Sequence, residues 1–343
     1  MAGSAKKVAL DQLVKVLDRV PIVSGVKNDL TELRALLYDR RPPRIAALGM
    51  PSSGRSSLLR ALIERRGGHE AVHANHGQWV HIEHVGAKMK WLELDIDAPD
   101  ALPQWQAAIG THPPDLVLVM IEPGRLAEAK AIVERASSLL KAMPEGAPQR
   151  RVFPLLTHCD LIGHGPDDIE KARRELAVAV REKSAHMDPA RAVSAISGFG
   201  LEGLSEAIVL ALPMEARLEA ARALTRARDA RIRIGNEIVQ ACTAVSVTVG
   251  VTPIPLSDMV LLGPLQAMMV SSLAYLGGRT WSGTTLAEWL ASLGIVGTLG
   301  MGLRFSAQTI AKFVPGAGNA VSAGVAGAGT TAMGQSAIKY FLR

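Results

Sequence analysis

This chain has little cysteine, little charge for its apolar content and no apolar segment at its N-terminus. Only two cysteines occur in 343 residues, which excludes a disulfide framework and fits a reducing cytoplasm. Hydrophobic residues make up 48% of the chain and charged ones 20%, a balance that excludes intrinsic disorder. Residues 1–15 lack the apolar core of a signal peptide, so we expect no secretion.

Acidic residues almost disappear toward the C-terminus. Between Met259 and Arg343 the only acid is Glu288, against five Lys and Arg, in a sequence rich in glycine and alanine. This composition predicts a helical domain of unusually low charge. Three arrangements remain open: insertion into or partial entry into a membrane, a soluble bundle closed by homo-oligomerisation, or a bundle packed on the rest of the chain.

The hydrophobic pattern predicts three parts. Apolar residues at helical spacing predict two helices within 8–39, and Pro42-Pro43 ends the second one. From residue 44 to 213 the pattern alternates between strands and helices, as in a mostly parallel sheet with helices on both faces. We therefore expect an N-terminal helical segment (1–41), an α/β domain (42–213) and an apolar all-α C-terminal domain (214–343).

A glycine-rich loop follows the first predicted strand, Ile45–Leu48. It reads Gly49-Met-Pro-Ser-Ser-Gly54-Arg55-Ser56 and opens a predicted helix. This layout predicts a P-loop, whose backbone N–H groups surround a phosphate at a helix N-terminus. The pattern G-x-x-x-x-G-K-[ST] is matched except that Arg55 replaces lysine. The candidate phosphate-binding residues are Gly49, Ser52, Ser53, Gly54, Arg55, Ser56 and Ser57.

Three further motifs follow later predicted strands: Asp97-Ala-Pro-Asp100, Thr157-His-Cys-Asp160 and Ser194-Ala195. With the P-loop, they resemble in order the motifs of translation-factor-class GTPases, most closely the Era-like group, over roughly residues 42–213. The resemblance implies a P-loop GTPase fold that binds GTP or GDP. It implies that Asp160 binds guanine, that Thr157, Ser194 and Ala195 complete the base pocket, and that Ser56 and Asp97 hold magnesium.

Three departures from the family pattern fall on the γ-phosphate side. Arg55 is bulkier than the lysine it replaces. Asp100 replaces a glycine, and a carboxylate about 4 Å from a phosphate costs on the order of 4 kcal/mol per charge pair at a surface-like dielectric. No Ser or Thr lies between Ser57 and Thr111 to act as a second magnesium ligand. We therefore expect guanine-nucleotide binding with weak or absent magnesium binding and hydrolysis.

Two alternatives remain: a nucleotide-free scaffold that acts through protein–protein contacts, and an active GTPase completed by a partner. The segments Pro253–Asp258 and Val314–Asn319 are similar to an uncharacterised helical domain of bacterial Era-like GTPases and inner-membrane proteins. That resemblance implies a membrane or protein partner and a location at the inner face of the membrane.

Nucleic acid is not an expected partner, because nothing after residue 214 predicts strands around a basic G-x-x-G loop.

Three weaker signals need mention. His69-Glu-Ala-Val-His73 spells the zinc-protease pattern H-E-x-x-H, but its glycine-rich flanks favour a polar loop. The arginines of residues 217–233 suit either anionic headgroups or a solvated helix face. A small-x-x-x-small row could pack helices closely, and its members are Gly316, Ala320, Gly324, Ala328, Ala332 and Ser336.

Overall fold

The computed structural model describes residues 24–37, 39–63, 77–143, 151–163, 165–184, 187–251, 257–279 and 319–343. They form two compact units, one within Arg40–Ala230 and one within Met1–Asp39 and Arg231–Arg343. Several predictions lie outside the described residues: the first N-terminal helix, the His69–His73 segment, the N-terminal end of the small-residue row, and most of the segments Pro253–Asp258 and Val314–Asn319.

A six-stranded sheet forms the centre of the first unit. Its strands are β1 (Arg44–Gly49), β2 (Trp79–His84), β3 (Ala87–Asp95), β4 (Leu116–Ile121), β5 (Arg151–Leu156) and β6 (Arg191–Ala192). Their order is β2-β3-β1-β4-β5-β6, and every pairing is parallel except the β2–β3 hairpin. All six residues of β4 are buried, as its continuous apolar run predicts for a central strand. The predicted fold class is confirmed.

Helices cover both faces of this sheet. They are α2 (Arg55–Ile63), α3 (Ala101–Thr111), α4 (Ala129–Lys141), α5 (Pro166–Lys183), α6 (Leu201–Ala211) and α7 (Met214–Ala223). Apolar side chains of α3, α4 and α5 share one core with the sheet, in which Trp105 is fully buried. Helices α2, α6 and α7 pack on the opposite face. The parallel strands β1, β4 and β5 therefore bring the loops at their C-terminal ends to one edge of the sheet.

The first unit continues past residue 213, where the sequence pattern places the end of the α/β domain. Helix α7 packs on β3, and most of its side chains are buried. Glu219 accepts a hydrogen bond from the backbone N–H of Lys88 at 3.0 Å, and the Nε of Arg222 donates to the carbonyl of Val85 at 2.7 Å. The helix thus holds the tip of the β2–β3 hairpin.

The second unit is helical in its described part. It contains α1 (Ser24–Leu37), α8 (Arg228–Val251), α9 (Ser257–Leu276) and α10 (Asn319–Phe341). Gly327 and Gly334 of α10 lie so close to α8 that an added Cβ would come within 2.6 Å and 2.4 Å of valine methyl groups. Within the described residues, no helix combines the length and apolar character that a membrane span requires.

Candidate functional site

The loop between β1 and α2 has the backbone shape that its glycines and serines predict. Ser52 and Gly54 adopt positive φ angles of 65° and 87°, which turn the chain back into the helix. Gly49 leaves no room for a side chain, because a Cβ there would lie 2.4 Å from the Oγ of Ser53. That Oγ is buried and has no hydrogen-bond partner among the described residues. The loop therefore places the N-terminus of α2, a favourable position for an anion, at the sheet edge.

Arg55 does not extend into the space beside this loop. Its side chain is buried, and its Nη1 donates hydrogen bonds to the carbonyls of Gly49 and Leu94, both at 2.5 Å. Burial lowers the pKa of Arg55, and the charges of Asp95 and Glu93 oppose that shift. An arginine remains protonated after such a shift. The guanidinium therefore ties the ends of β1 and β3 together as a fixed buried cation.

Ser56, the predicted magnesium ligand, is engaged by a carboxylate that the motifs did not indicate. Its Oγ donates to the Oε2 of Glu93 at 2.8 Å, and the other carboxylate oxygen accepts from the Nε1 of Trp91 at 3.1 Å. Glu93 is 2% exposed. The only sequence signal for it was an acid between two leucines, a residue type that is rarely buried without a partner.

The other predicted metal ligand and the nearby acid have different partners. Asp97 is exposed and forms an ion pair with Arg135 of α4. Asp100 is exposed and accepts a hydrogen bond from Gln104 at 2.6 Å. The described residues contain no cluster of three or more acidic, histidine or cysteine side chains suited to a metal. In this structure the two predicted magnesium ligands therefore have other partners, Glu93 for Ser56 and Arg135 for Asp97.

The residues predicted to bind the base meet at the ends of β5 and β6. The Oγ of Ser194 donates to the Oδ1 of Asp160 at 2.5 Å and accepts the N–H of Ser197 at 3.0 Å. Thr157 is buried and bonded to the carbonyl of Ile121, while Asp160 is exposed and Ala195 half-buried. Ser194 thus orients the Asp160 carboxylate, which keeps lone pairs for two further donors.

His158 connects the base-side loop to the P-loop. It has left-handed backbone angles (φ 51°, ψ 37°), and its Nδ1 lies 3.1 Å from the Oγ1 of Thr157. Its ring lies against Gly54, where an added Cβ would be 2.8 Å from Cε1. The neighbouring Cys159 is buried, which raises the pKa of its thiol to about 11. A thiol of that pKa is unreactive at neutral pH. His158, in contrast, contacts both the P-loop and the loop that carries the predicted base-binding residues.

Two of the predicted phosphate-binding residues have exposed side chains. Ser57 lies on α2 with an exposed side chain, and Ser52 is exposed at the outer turn of the loop. The structure therefore brings together Gly49, Ser53, Gly54 and Arg55 on one side and Thr157, Asp160 and Ser194 on the other. His158 lies between the two groups.

No family model and no curated protein matches this chain. Solved structures overlap with it weakly. A complex of SsGBP with GDP is 16% identical (TM-score 0.36, covering 59% of this chain and 57% of that one). A GTP-binding protein from Sulfolobus solfataricus with GDP is 15% identical (TM-score 0.35, 49% and 51%). The elongation factor SelB from Methanococcus maripaludis with GppNHp is 14% identical (TM-score 0.34, 50% and 34%).

The chain spans 57 to 65% of the length of the SsGBP structures. With TM-scores below 0.4, these overlaps add nothing to what the geometry of the site shows.

Proposed function

We propose that this chain is a degenerate Era-like guanine-nucleotide-binding protein with weak or absent GTP hydrolysis. The observation that carries the proposal is the Ser194–Asp160 hydrogen bond at the end of β5. It fixes an exposed carboxylate next to a P-loop-shaped turn, and guanine offers the two neighbouring N–H donors that such a carboxylate accepts. A fixed acceptor loses less conformational freedom when a base binds than a free one does.

The residues around the P-loop favour binding of GDP at least as much as binding of GTP. The N-terminus of α2 can accept a diphosphate through backbone N–H groups. Arg55 donates to two backbone carbonyls instead of projecting toward a terminal phosphate. Asp100 adds negative charge on the side where a third phosphate would lie. Since Ser56 is hydrogen-bonded to Glu93, nucleotide binding is expected to depend little on magnesium.

Guanine-nucleotide affinity, measured by calorimetry with and without magnesium, tests this proposal. We expect GDP to bind at least as tightly as GTP, and magnesium to change neither affinity by more than about threefold. Asp160→Ala should weaken GDP binding about tenfold or more, since it removes an ionised acceptor of two hydrogen bonds. Asp167→Ala, which removes an exposed acid from the first turn of α5, is the matched control. A strong magnesium-dependent preference for GTP would contradict the proposal.

The second candidate is a nucleotide-free scaffold. Arg55 favours this candidate, because it donates hydrogen bonds to the carbonyls of Gly49 and Leu94, and the guanidinium therefore needs no phosphate ligand. Chromatography of nucleotides released from the purified protein separates the two candidates. Guanine nucleotide that co-purifies with the native chain and is lost from Asp160→Ala excludes the scaffold-only function.

We further propose that the protein works as a regulator or assembly factor at the inner face of the membrane, with its apolar helices contacting lipid, a protein partner or a second copy. The near absence of acids after Met259 supports this role. So does the hydroxyl-mediated packing of α8, α9 and α10, in which Gln266 donates to Thr330 and Thr330 donates to Ser246. Polar bonds between helices rich in small residues are typical of membrane bundles.

A further inference from the structure

The N-terminal edge of the sheet, opposite the P-loop, carries a cluster of cationic and histidine side chains. We call it the basic corner and define it as Arg44, His81, Lys90 and His112. The strand register places Arg44 of β1 and His81 of β2 directly beside Lys90 of β3. Residues paired in this way point to the same face of a sheet, with strands about 4.8 Å apart. His112 follows α3, which packs on that face.

Near the basic corner, a carboxylate pairs with the arginines but not with Lys90. Asp115 is buried and accepts bonds from Arg41 at 2.7 and 2.8 Å and from Arg44 at 3.0 Å. Burial alone would raise the pKa of Asp115, but the bonds from Arg41 and Arg44 outweigh it and lower that pKa. Asp115 therefore compensates one of the two arginines, and the carboxylate of Glu215 lies near the other one, Arg41. Within the described residues, no carboxylate pairs with Lys90, and His81 and His112 form no side-chain hydrogen bond.

The backbone supplies only part of the missing negative charge. Helix α3 ends at Thr111, and the N–H of His112 bonds back to the carbonyl of Ala108. The C-terminal end of a helix contributes about half of one negative charge. Asp115 and Glu215 can together balance Arg41 and Arg44, so the charge of Lys90 is left over and the corner remains cationic at neutral pH.

We propose that the basic corner is a binding site for a phosphate-type oxyanion, with Lys90 as its principal cation and His81 and His112 as hydrogen-bond donors. These donors are half-buried or exposed, so a small anion can reach them. A dianion gains most from several donors fixed on neighbouring strands. The site does not depend on nucleotide binding at the opposite edge of the sheet.

Histidine titration offers a local readout. The pKa of His112 is lowered by Lys90 first, then by burial and by Arg44 and His81, which are the charged and titratable groups that face it. A bound phosphate adds negative charge among these groups and must raise the pKa of His112. Phosphate should therefore bind more tightly as the pH falls through the range in which His112 gains its proton.

Proton NMR of the full chain, titrated with inorganic phosphate, tests the proposal. We expect the pKa of His112 to rise in a saturable manner, and Lys90→Gln to weaken phosphate binding about tenfold, the loss of one charge-assisted hydrogen bond. Lys88→Gln is the matched control, because Lys88 lies two residues away on β3 opposite Glu83. It should change the affinity less than about twofold. Lys90→Arg should keep most of the binding.

The remaining outcomes are equally decisive. A non-saturable response, or equal losses in Lys90→Gln and Lys88→Gln, would show general charge attraction and overturn the site. Asp160→Ala should leave the His112 response unchanged, because the nucleotide site is at the other edge. Vesicles of phosphatidic acid, compared with phosphatidylcholine vesicles, then identify the source of the phosphate. Binding of phosphatidic acid that Lys90→Gln abolishes supports a lipid headgroup, and binding of inorganic phosphate alone supports a small solute.

Discussion

Arg55 shows how one substitution can change a phosphate-binding loop without changing its backbone. The loop keeps its positive φ angles at Ser52 and Gly54, yet the side chain that would contact phosphate is directed to carbonyls of β1 and β3. A lysine there would carry a compact charge on a shorter, flexible stem in place of the planar guanidinium. The identity of residue 55 therefore decides whether the loop contains a phosphate ligand or a structural cation.

Arg55→Lys should shift the protein toward GTP. Because lysine is shorter than arginine, we expect its ammonium to lose at least one of the two buried charge-assisted bonds, and the free energy of unfolding to fall by about 1.5–3 kcal/mol. The freed charge can approach the phosphates, and the ratio of GTP affinity to GDP affinity should rise about tenfold. Calorimetry and thermal unfolding measure both effects. Arg60→Lys, at an exposed position of α2, is the control and should change neither quantity.

Sequence patterns located the residues of the site better than their partners. The departures at Arg55 and Asp100 are visible in the motifs, but the pairing of Ser56 with Glu93 is not. That pairing depends on strand alternation, because Glu93 lies on the face of β3 opposite Leu92 and Leu94 and toward α2. The contact of His158 with Gly54 also depends on two loops about 100 residues apart meeting at one edge of the sheet.

At the scale of elements, long apolar runs gave the most reliable predictions. Strand β1 extends the predicted Ile45–Leu48 by one residue at each end, and β4 coincides with the continuous apolar run Leu116–Ile121. Helix α3 was not predicted, because Pro103 and Gly110 obscure its periodicity, although Trp105, Ala108 and Ile109 form its buried face. In α10, the small residues that pack on α8 are Gly327 and Gly334, whereas Ala328 and Ala332 of the predicted row are exposed.

Helix α7 should decide where the sheet unit can be cut. A fragment of residues 40–230 retains α7 and its bonds to the β2–β3 hairpin, whereas a fragment of residues 42–213 loses them. Without α7, Met89 and Trp91 of β3 lose part of the cover on a face that is otherwise buried. We expect the longer fragment to be soluble with a cooperative thermal transition, and the shorter one to aggregate or to melt at least about 10 °C lower.

Gel filtration and circular dichroism compare the two fragments. A control fragment of residues 40–223 ends with α7 and should behave like the longer one. Equal stability of the fragments ending at 213 and 230 would show that α7 is dispensable, and would move the domain boundary back to the position that the sequence pattern predicts.

At the scale of the whole molecule, charge is divided between the two units. The sheet unit carries most of the acids and the ion pairs of the described chain, while the sequence from Met259 onward has one acid in 85 residues. The arginines before it have structural partners: Arg217 donates to the carbonyls of Leu212 and Leu210, and Arg222 donates to Val85. These two side chains therefore cap α6 and hold the hairpin, so a membrane contact cannot depend on them alone.

Membrane association should depend on the helical unit. In its described part, buried hydroxyls connect three helices, as Gln266 of α9 bonds to Thr330 of α10 and Thr330 bonds to Ser246 of α8. These bonds satisfy polar groups inside the bundle, so the proposed contact with lipid, a partner or another copy would use its outer surface. We expect the full chain to sediment with membranes and to resist carbonate extraction, while the 40–230 fragment remains in the supernatant. A full chain that is soluble at native expression and elutes as a defined oligomer would instead assign the apolar helices to self-association, because the same surface would then be covered by a second copy.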